Sequence, residues 1–202
     1  MDAIRAFIAI PLPVEIRNRL GMIIEQLQRK TPPVVRWVAP ENIHLTLKFL
    51  GSISPGNLDH LKQVLASEAT HHTASSLCLE GLGAFPNRNR PRVLWVGVKA
   101  PPALFELQQS IDRETARLGY PSEERGFSPH LTLGRISPHA SPGEVRQVAE
   151  ALAACSQVGE VGIAPVAEII LFRSDLNPGG AVYTPLFKAR LKTKNPLSSS
   201  VS

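Results

Sequence analysis

The chain of 202 residues has little of several things, and each scarcity removes a class of function. It holds two cysteines, Cys78 and Cys155, far apart and outside any CxxC pattern. A disulfide framework needs more of them, and a thiolate metal site needs closely spaced ligands. The pair reads as free or buried thiols of a reducing compartment. No apolar run is long enough to cross a membrane. The opening "MDAIRAFIAI" lacks the charged start and long apolar stretch of a signal peptide and reads directly as a strand. The cytoplasm is therefore the expected location, with no membrane partner. There is no G-x-S-x-G nucleophile pattern and no phosphate-cradling glycine loop of the P-loop type.

What is present is ordinary for a globular chain. Hydrophobic residues make up 43% and charged residues 19%, enough apolar content for a sizeable core in one domain or two small lobes. The formal net charge of +5 is a mild basic excess, compatible with a polyanionic partner without requiring one.

The decisive feature is repetition. "HLTLKFLG" begins at His44 and "HLTLGR" at His130, while "SPGNLDHLKQVLA" begins at Ser54 and "SPGEVRQVAEALA" at Ser141. The same interval, within one residue, separates both pairs, so a whole unit recurs rather than a tetrapeptide. Upstream, "RAFIAIPLP" (5–13) and "RVLWVGVKAP" (92–101) both read as strands ending at proline. Helical spacing follows each: Ile16, Leu20, Ile23, Ile24 and Leu27 in the first half, Leu104, Leu107, Ile111, Thr115 and Leu118 in the second. Each Ser-Pro-Gly segment starts a further helix, and Ser141, Pro142 and Glu144 form a capping signature. A closing strand ends each half, at 76–85 and 166–174.

The expected fold is α+β and bilobal, pseudo-duplicated, with two small, mainly antiparallel sheets lining a central cleft and helices outside. Residues 1–190 form one bilobal domain, with lobes near 1–90 and 91–190 between which the chain can cross. Residues 191–202 are expected to be a disordered tail.

Alternation on a strand puts His44 and Thr46 on one face and Leu45 and Leu47 on the other; His130 and Thr132 oppose Leu131 and Leu133 in the same way. The leucines belong to the core. A lone strand histidine is usually a half-solvated polar residue; two, each followed by threonine and related by a repeat, place two imidazoles and two hydroxyls on one cleft. Near neutral pH one ring can be neutral and the other charged, giving a base and an acid. Hydroxyls suit anionic oxygens. No carboxylate accompanies either histidine in its motif, so a divalent cation lacks its usual partners. The best fit is metal-free acid–base chemistry on a phosphodiester, without a cofactor.

Several neighbours are candidates for substrate contact. Arg135 is out of phase with His130 unless the strand breaks or bulges at Gly134. Lys48 is in phase with His44 and Thr46. Arg125 precedes the second motif. Phe7, on the first strand, is the aromatic to test for base stacking; Trp37 and Trp95 read as core. The basic stretches "FPNRNRPR" (85–92), read as joining the lobes, and "KARLKTK" (188–194) offer cations to a nucleic-acid backbone.

The stretches "RAFIAI", "RWVAPENIHLTLKFLG", "FPNRNRPRVLWVGV" and "RGFSPHLTLGR" resemble the two-histidine phosphoesterases, closest to the RNA 2′,3′-cyclic phosphodiesterases once called 2′-5′ RNA ligases. The resemblance reaches to about Lys188. It implies that His44 gives a proton to the leaving 3′-oxygen, that His130 activates water, and that Thr46, Thr132 and Arg135 hold the phosphate. The implied partners are RNA termini or small nucleotides bearing a 2′,3′-cyclic phosphate, with a 2′-phosphate product and no obligate protein partner. Reversible 2′-5′ joining of RNA ends and non-catalytic RNA-end binding are the alternatives. A monomer is expected, because the duplication already supplies a two-fold.

Overall fold

The computed structural model describes residues 4–123, 126–155, 157–177 and 180–193. In chain order the elements are β1 (Ile4–Pro11), α1 (Val14–Gln28), β2 (Val35–Trp37), β3 (His44–Ile53), α2 (Leu58–His71), β4 (Ser75–Phe85), β5 (Val93–Lys99), α3 (Pro102–Arg117), β6 (His130–Ile136), α4 (Pro142–Ala154), β7 (Glu160–Val166), β8 (Glu168–Asn177) and β9 (Gly180–Arg190). Short 3₁₀ turns at Pro40–Asn42 and Pro55–Asn57 precede β3 and α2.

Hydrophobic spacing explains the helices. Ile16, Leu20, Ile24 and Leu27 are the buried stripe of α1, and Leu104, Leu107, Ile111 and Thr115 lie in that of α3. The apolar members of both stripes pack with Leu45, Leu47, Leu131 and Leu133 in one continuous core. At the start of α4, Ser141 and Glu144 form a reciprocal capping box: the Glu144 amide donates to the Ser141 hydroxyl (3.3 Å) and the Ser141 amide to the Glu144 carboxylate (2.8 Å). The corresponding Ser54 makes no such cap, and its helix opens through the 3₁₀ turn instead.

The strands form two antiparallel sheets, ordered β3-β1-β8-β9 and β2-β6-β5-β4-β7. The two sheets do not divide the chain at its middle. β1 and β5 are repeat equivalents and each pairs with its own motif strand, β3 or β6. The closing strands are exchanged: β4 of the first half pairs with β5, and β8 of the second half pairs with β1. β2 also crosses, adding to β6. The basic stretch 85–92 is consequently the loop of the β4–β5 hairpin within one sheet, not a connection between lobes. The packed chain runs past Arg190, since Leu191 is buried and the Lys192 amide donates to the His72 carbonyl at 3.0 Å. Residues 194–202 of the expected tail lie outside the described residues.

Each motif strand carries a bulge at the same place. Ala9 and Ile8 of β1 face Thr46 and Lys48, which leaves Leu47 as the extra residue. Trp95 and Leu94 of β5 face Thr132 and Gly134, which leaves Leu133 extra. A bulge puts two successive side chains on one side and reverses the phase beyond it. Leu47 and Lys48 are therefore both buried and Phe49 is exposed; Leu133 and Gly134 are both buried and Arg135 is exposed. The Leu47 carbonyl accepts a hydrogen bond from Gln108 Nε2 of α3 at 3.3 Å, a partner from outside the ladder.

Candidate active site

The HxT segments of β3 and β6 present His44, Thr46, His130 and Thr132 as half-buried side chains, with the intervening leucines fully buried. The two imidazoles are anchored identically. Nδ1 of His44 lies 2.8 Å from the Asn42 carbonyl, and Nδ1 of His130 lies 2.7 Å from the Ser128 carbonyl. A carbonyl only accepts, so both Nδ1 atoms carry the hydrogen and both Nε2 atoms are left to meet a substrate. Among the described residues neither the Thr46 nor the Thr132 hydroxyl is held by another protein group.

The surroundings of the two rings differ. His44 stacks on Phe7 (centroids 4.6 Å apart, planes 22° from parallel) and meets the edge of Tyr183 at 5.2 Å. Phe172 extends the cluster. Burial among these rings penalises the imidazolium and lowers the His44 pKa from 6.5 to about 4, although the hydrogen bond to Asn42 works the other way. His130 meets the edge of Phe85 at 4.9 Å and lies 6.5 Å from Trp95. A cavity of about 230 Å³ opens beside His44, lined by residues including Arg17, Asn42, Phe172, Tyr183 and Lys188.

A family model for LigT-like phosphoesterases matches the chain twice, over residues 10–95 and 96–183. The chain belongs to that family. The double match is the internal repeat seen from another side. An RNA 2′,3′-cyclic phosphodiesterase of Methanothermobacter thermautotrophicus is 35% identical over 93% of this chain and 99% of its own. Among solved structures, a Thermus thermophilus protein superposes with a TM-score of 0.76 and 28% identity, over 95% of this chain and all of the other. The E. coli LigT complex with 3′-AMP gives 0.72 and 30% identity, over 94% of this chain and 98% of that one.

Within this LigT-like frame, the structure sorts the remaining expected residues. Arg135 is exposed, and the bulge brings it onto the face of His130 and Thr132. Lys48 is not on that face: the bulge at Leu47 turns it inward, where it is 1% exposed. Its Nζ donates to Asp112 Oδ1 of α3 at 2.5 Å and to the Pro121 carbonyl at 2.6 Å. Burial works to raise the Asp112 pKa, but hydrogen bonds from Lys48 and Ser122 outweigh it and hold the carboxyl below its usual value. Phe7 is 3% exposed and covered by His44, so it supports the imidazole rather than offering a free face to a base. Trp95 is only partly buried and lies on the floor near His130, against the expectation of core; among the described residues its indole N–H is buried without a partner. Arg125 lies outside the described residues.

Of the two ways for Arg135 to come into phase, the structure takes the bulge, and the first motif shares it: both strands bulge alike and continue, to Ile136 and Ile53. The repeat diverges in its occupants, Lys48 against Gly134 and Phe49 against Arg135. Phe49 and Tyr183 are the site residues that sequence reasoning missed. Phe49 is a large apolar side chain 55% exposed at the position equivalent to Arg135. The signal for it was there, because a bulge inferred at the second motif carries over to the first. Tyr183 had none, since only the pairing of β9 onto β8 brings it to His44.

Proposed function

We propose that the chain hydrolyses 2′,3′-cyclic phosphate ends of RNA to 2′-phosphomonoesters, with two imidazoles moving the protons and no metal. The enzyme class is the one its relatives bear, RNA 2′,3′-cyclic phosphodiesterase. The observation that carries the mechanism is the matched pair of Nδ1 anchors on strands that also present Thr46 and Thr132; among the described residues neither Nε2 atom nor either hydroxyl is held by another protein group.

The Thr46 and Thr132 hydroxyls and the Arg135 guanidinium take the non-bridging phosphate oxygens. His130 Nε2 accepts a proton from water as the water oxygen attacks phosphorus. The bond from phosphorus to the 3′-oxygen breaks, and His44 Nε2 delivers a proton to that oxygen. The burial that keeps His44 neutral in the free protein bears on this step. A phosphate anion beside the ring favours the imidazolium and so works against the burial. His44 thus takes up its proton more readily with substrate bound than in the free protein. Phe49 presents an exposed ring on the same face for the terminal base. Among the described residues no three His, Cys, Asp or Glu side chains gather in a metal-binding arrangement.

The test is an oligonucleotide ending in a 2′,3′-cyclic phosphate, incubated with the protein in excess chelator. The expected product carries a 2′-phosphate. A 3′-phosphate product, or activity only with added metal, overturns this reading. Joined ends with a 2′-5′ bond, formed when a 5′-hydroxyl strand is present, would reveal ligation at the same site.

A further inference from the structure

Arg36 of β2 and Arg135 of β6 stand directly opposite one another in the antiparallel ladder. Their neighbours in the register, Val35 with Ile136 and Trp37 with Gly134, fix the direction. Val35, Ile136 and Gly134 are buried, so the two arginines project from the other face, the one that carries His130 and Thr132. Like charges directly opposite in a sheet are destabilising unless something lies between them. Among the described residues neither arginine has a carboxylate within ion-pair distance.

The other sheet adds a third. Arg5 precedes Phe7 by two residues on β1, so it shares the face of the Phe7 ring; it is exposed and likewise has no carboxylate partner among the described residues. Tyr183 joins the two groups. Its ring lies 5.2 Å from His44, and its half-buried phenol feels the fields of Arg135, Arg5 and Arg36, which oppose the rise in pKa that burial causes. Three guanidinium groups from two sheets therefore converge on the His44 side of the cleft, and among the described residues none of them has a carboxylate partner.

We propose that Arg36, with Arg5 and Arg135, forms a second anion subsite that takes the phosphodiester joining the terminal nucleotide to the one before it. This rests on the reading of the site as a cyclic phosphodiesterase. The terminal phosphate occupies the threonines and reaches Arg135. An RNA strand delivers a second phosphate one nucleotide away, and it enters between Arg36 and Arg135, neutralising the opposed pair. Planar guanidinium groups hold phosphate oxygens two at a time. The site thereby distinguishes an RNA end from a free cyclic mononucleotide without reading a base.

Two substrates with the same terminal nucleotide test this: a nucleoside 2′,3′-cyclic phosphate, and a dinucleotide ending in the same cyclic phosphate. The wild-type protein is expected to prefer the dinucleotide. Arg36→Ala is expected to lower kcat/KM for the dinucleotide about tenfold, chiefly through KM, and to leave the mononucleotide within about twofold. Arg36→Lys retains part of the preference. The slope of log kcat/KM against log salt for the dinucleotide falls by about 0.7, the contribution of one single-strand phosphate contact. Replacing the internal linkage by an uncharged methylphosphonate reduces the wild type to the Arg36→Ala level. Equal losses on both substrates, or none on either, overturn the subsite. A wild type inactive on both substrates refutes the phosphodiesterase reading instead. The subsite is then judged by binding of a non-cleavable dinucleotide with and without the methylphosphonate: affinity that ignores that linkage, or is unchanged in Arg36→Ala, refutes it.

Discussion

The Phe7 and His44 rings lie 4.6 Å apart and 22° from parallel, so that Phe7 covers one face of the imidazole. Phe7 is 3% exposed and sits in β1, opposite Phe49 of β3 and Phe172 of β8. Two paired strands therefore hold the wall against which the motif histidine rests. Replacing Phe7 by Leu removes the flat face and admits water. The His44 pKa is expected to rise from about 4 toward 6.5. An NMR titration of the ring carbons checks this, and an unmoved midpoint would show that the stack is not the cause.

The same burial makes stability depend on pH. The unfolded chain binds a proton at His44 from about pH 6.5 downward, whereas the folded one does so only near pH 4. Between those values the unfolded state holds more protons, so acid destabilises the fold. The contribution is absent above pH 6.5, grows as pH falls, and levels off near 4 at a loss on the order of 3 kcal/mol. Denaturant midpoints for the wild type and His44→Gln across this range measure it. The wild type is expected to lose more stability on acidification than the variant; equal slopes would contradict the assignment.

Lys48 is structural. Lys48→Met strands Asp112 and the Pro121 carbonyl without their shared donor. Asp112 is partly exposed and keeps Ser122, so the loss is that of an unsatisfied polar contact, on the order of 1–3 kcal/mol. A lower Tm with KM unchanged is expected. A raised KM at unchanged Tm would put Lys48 back at the substrate.

Phe49 has the opposite profile. Phe49→Ala removes an exposed ring, so Tm should hold, while KM for a cyclic-ended oligonucleotide rises by the worth of one stacked base, about 1–3 kcal/mol. An unchanged KM would show the ring to be idle.

Gly134 has no room for a side chain. A Cβ there would lie 2.8 Å from Val35 Cγ1 and 3.0 Å from Trp37 Cε3. Gly134→Ala is expected to push β2 off β6 and to cost about 1–3 kcal/mol, measured by denaturant unfolding. Full stability would mean that β2 shifts freely.

The sequence made the duplicated frame legible because it is written locally: alternation, helical spacing, caps and a shared interval. His44, Thr46, His130 and Thr132 followed from strand phase, and the structure brings all four to half-buried positions. The exchange of β4 and β8 was not legible, since strand pairing is a long-range choice that no segment encodes alone. Strict alternation failed at Leu47. One inserted residue sent Lys48 into the core and Phe49 out, and a lysine in phase with a histidine carries no mark of that reversal. Gly134 did carry a mark, which is why Arg135 was found and Phe49 was not.

The central claim is that both imidazoles move protons in one reaction. The direct measurement is single-turnover cleavage of an oligonucleotide with a 2′,3′-cyclic end, in excess chelator, by the wild type, His44→Ala and His130→Ala. Loss of one proton-transfer group is expected to slow the chemical step at least about 100-fold in each variant, with substrate binding retained. A variant that keeps the wild-type rate at either position would contradict the account.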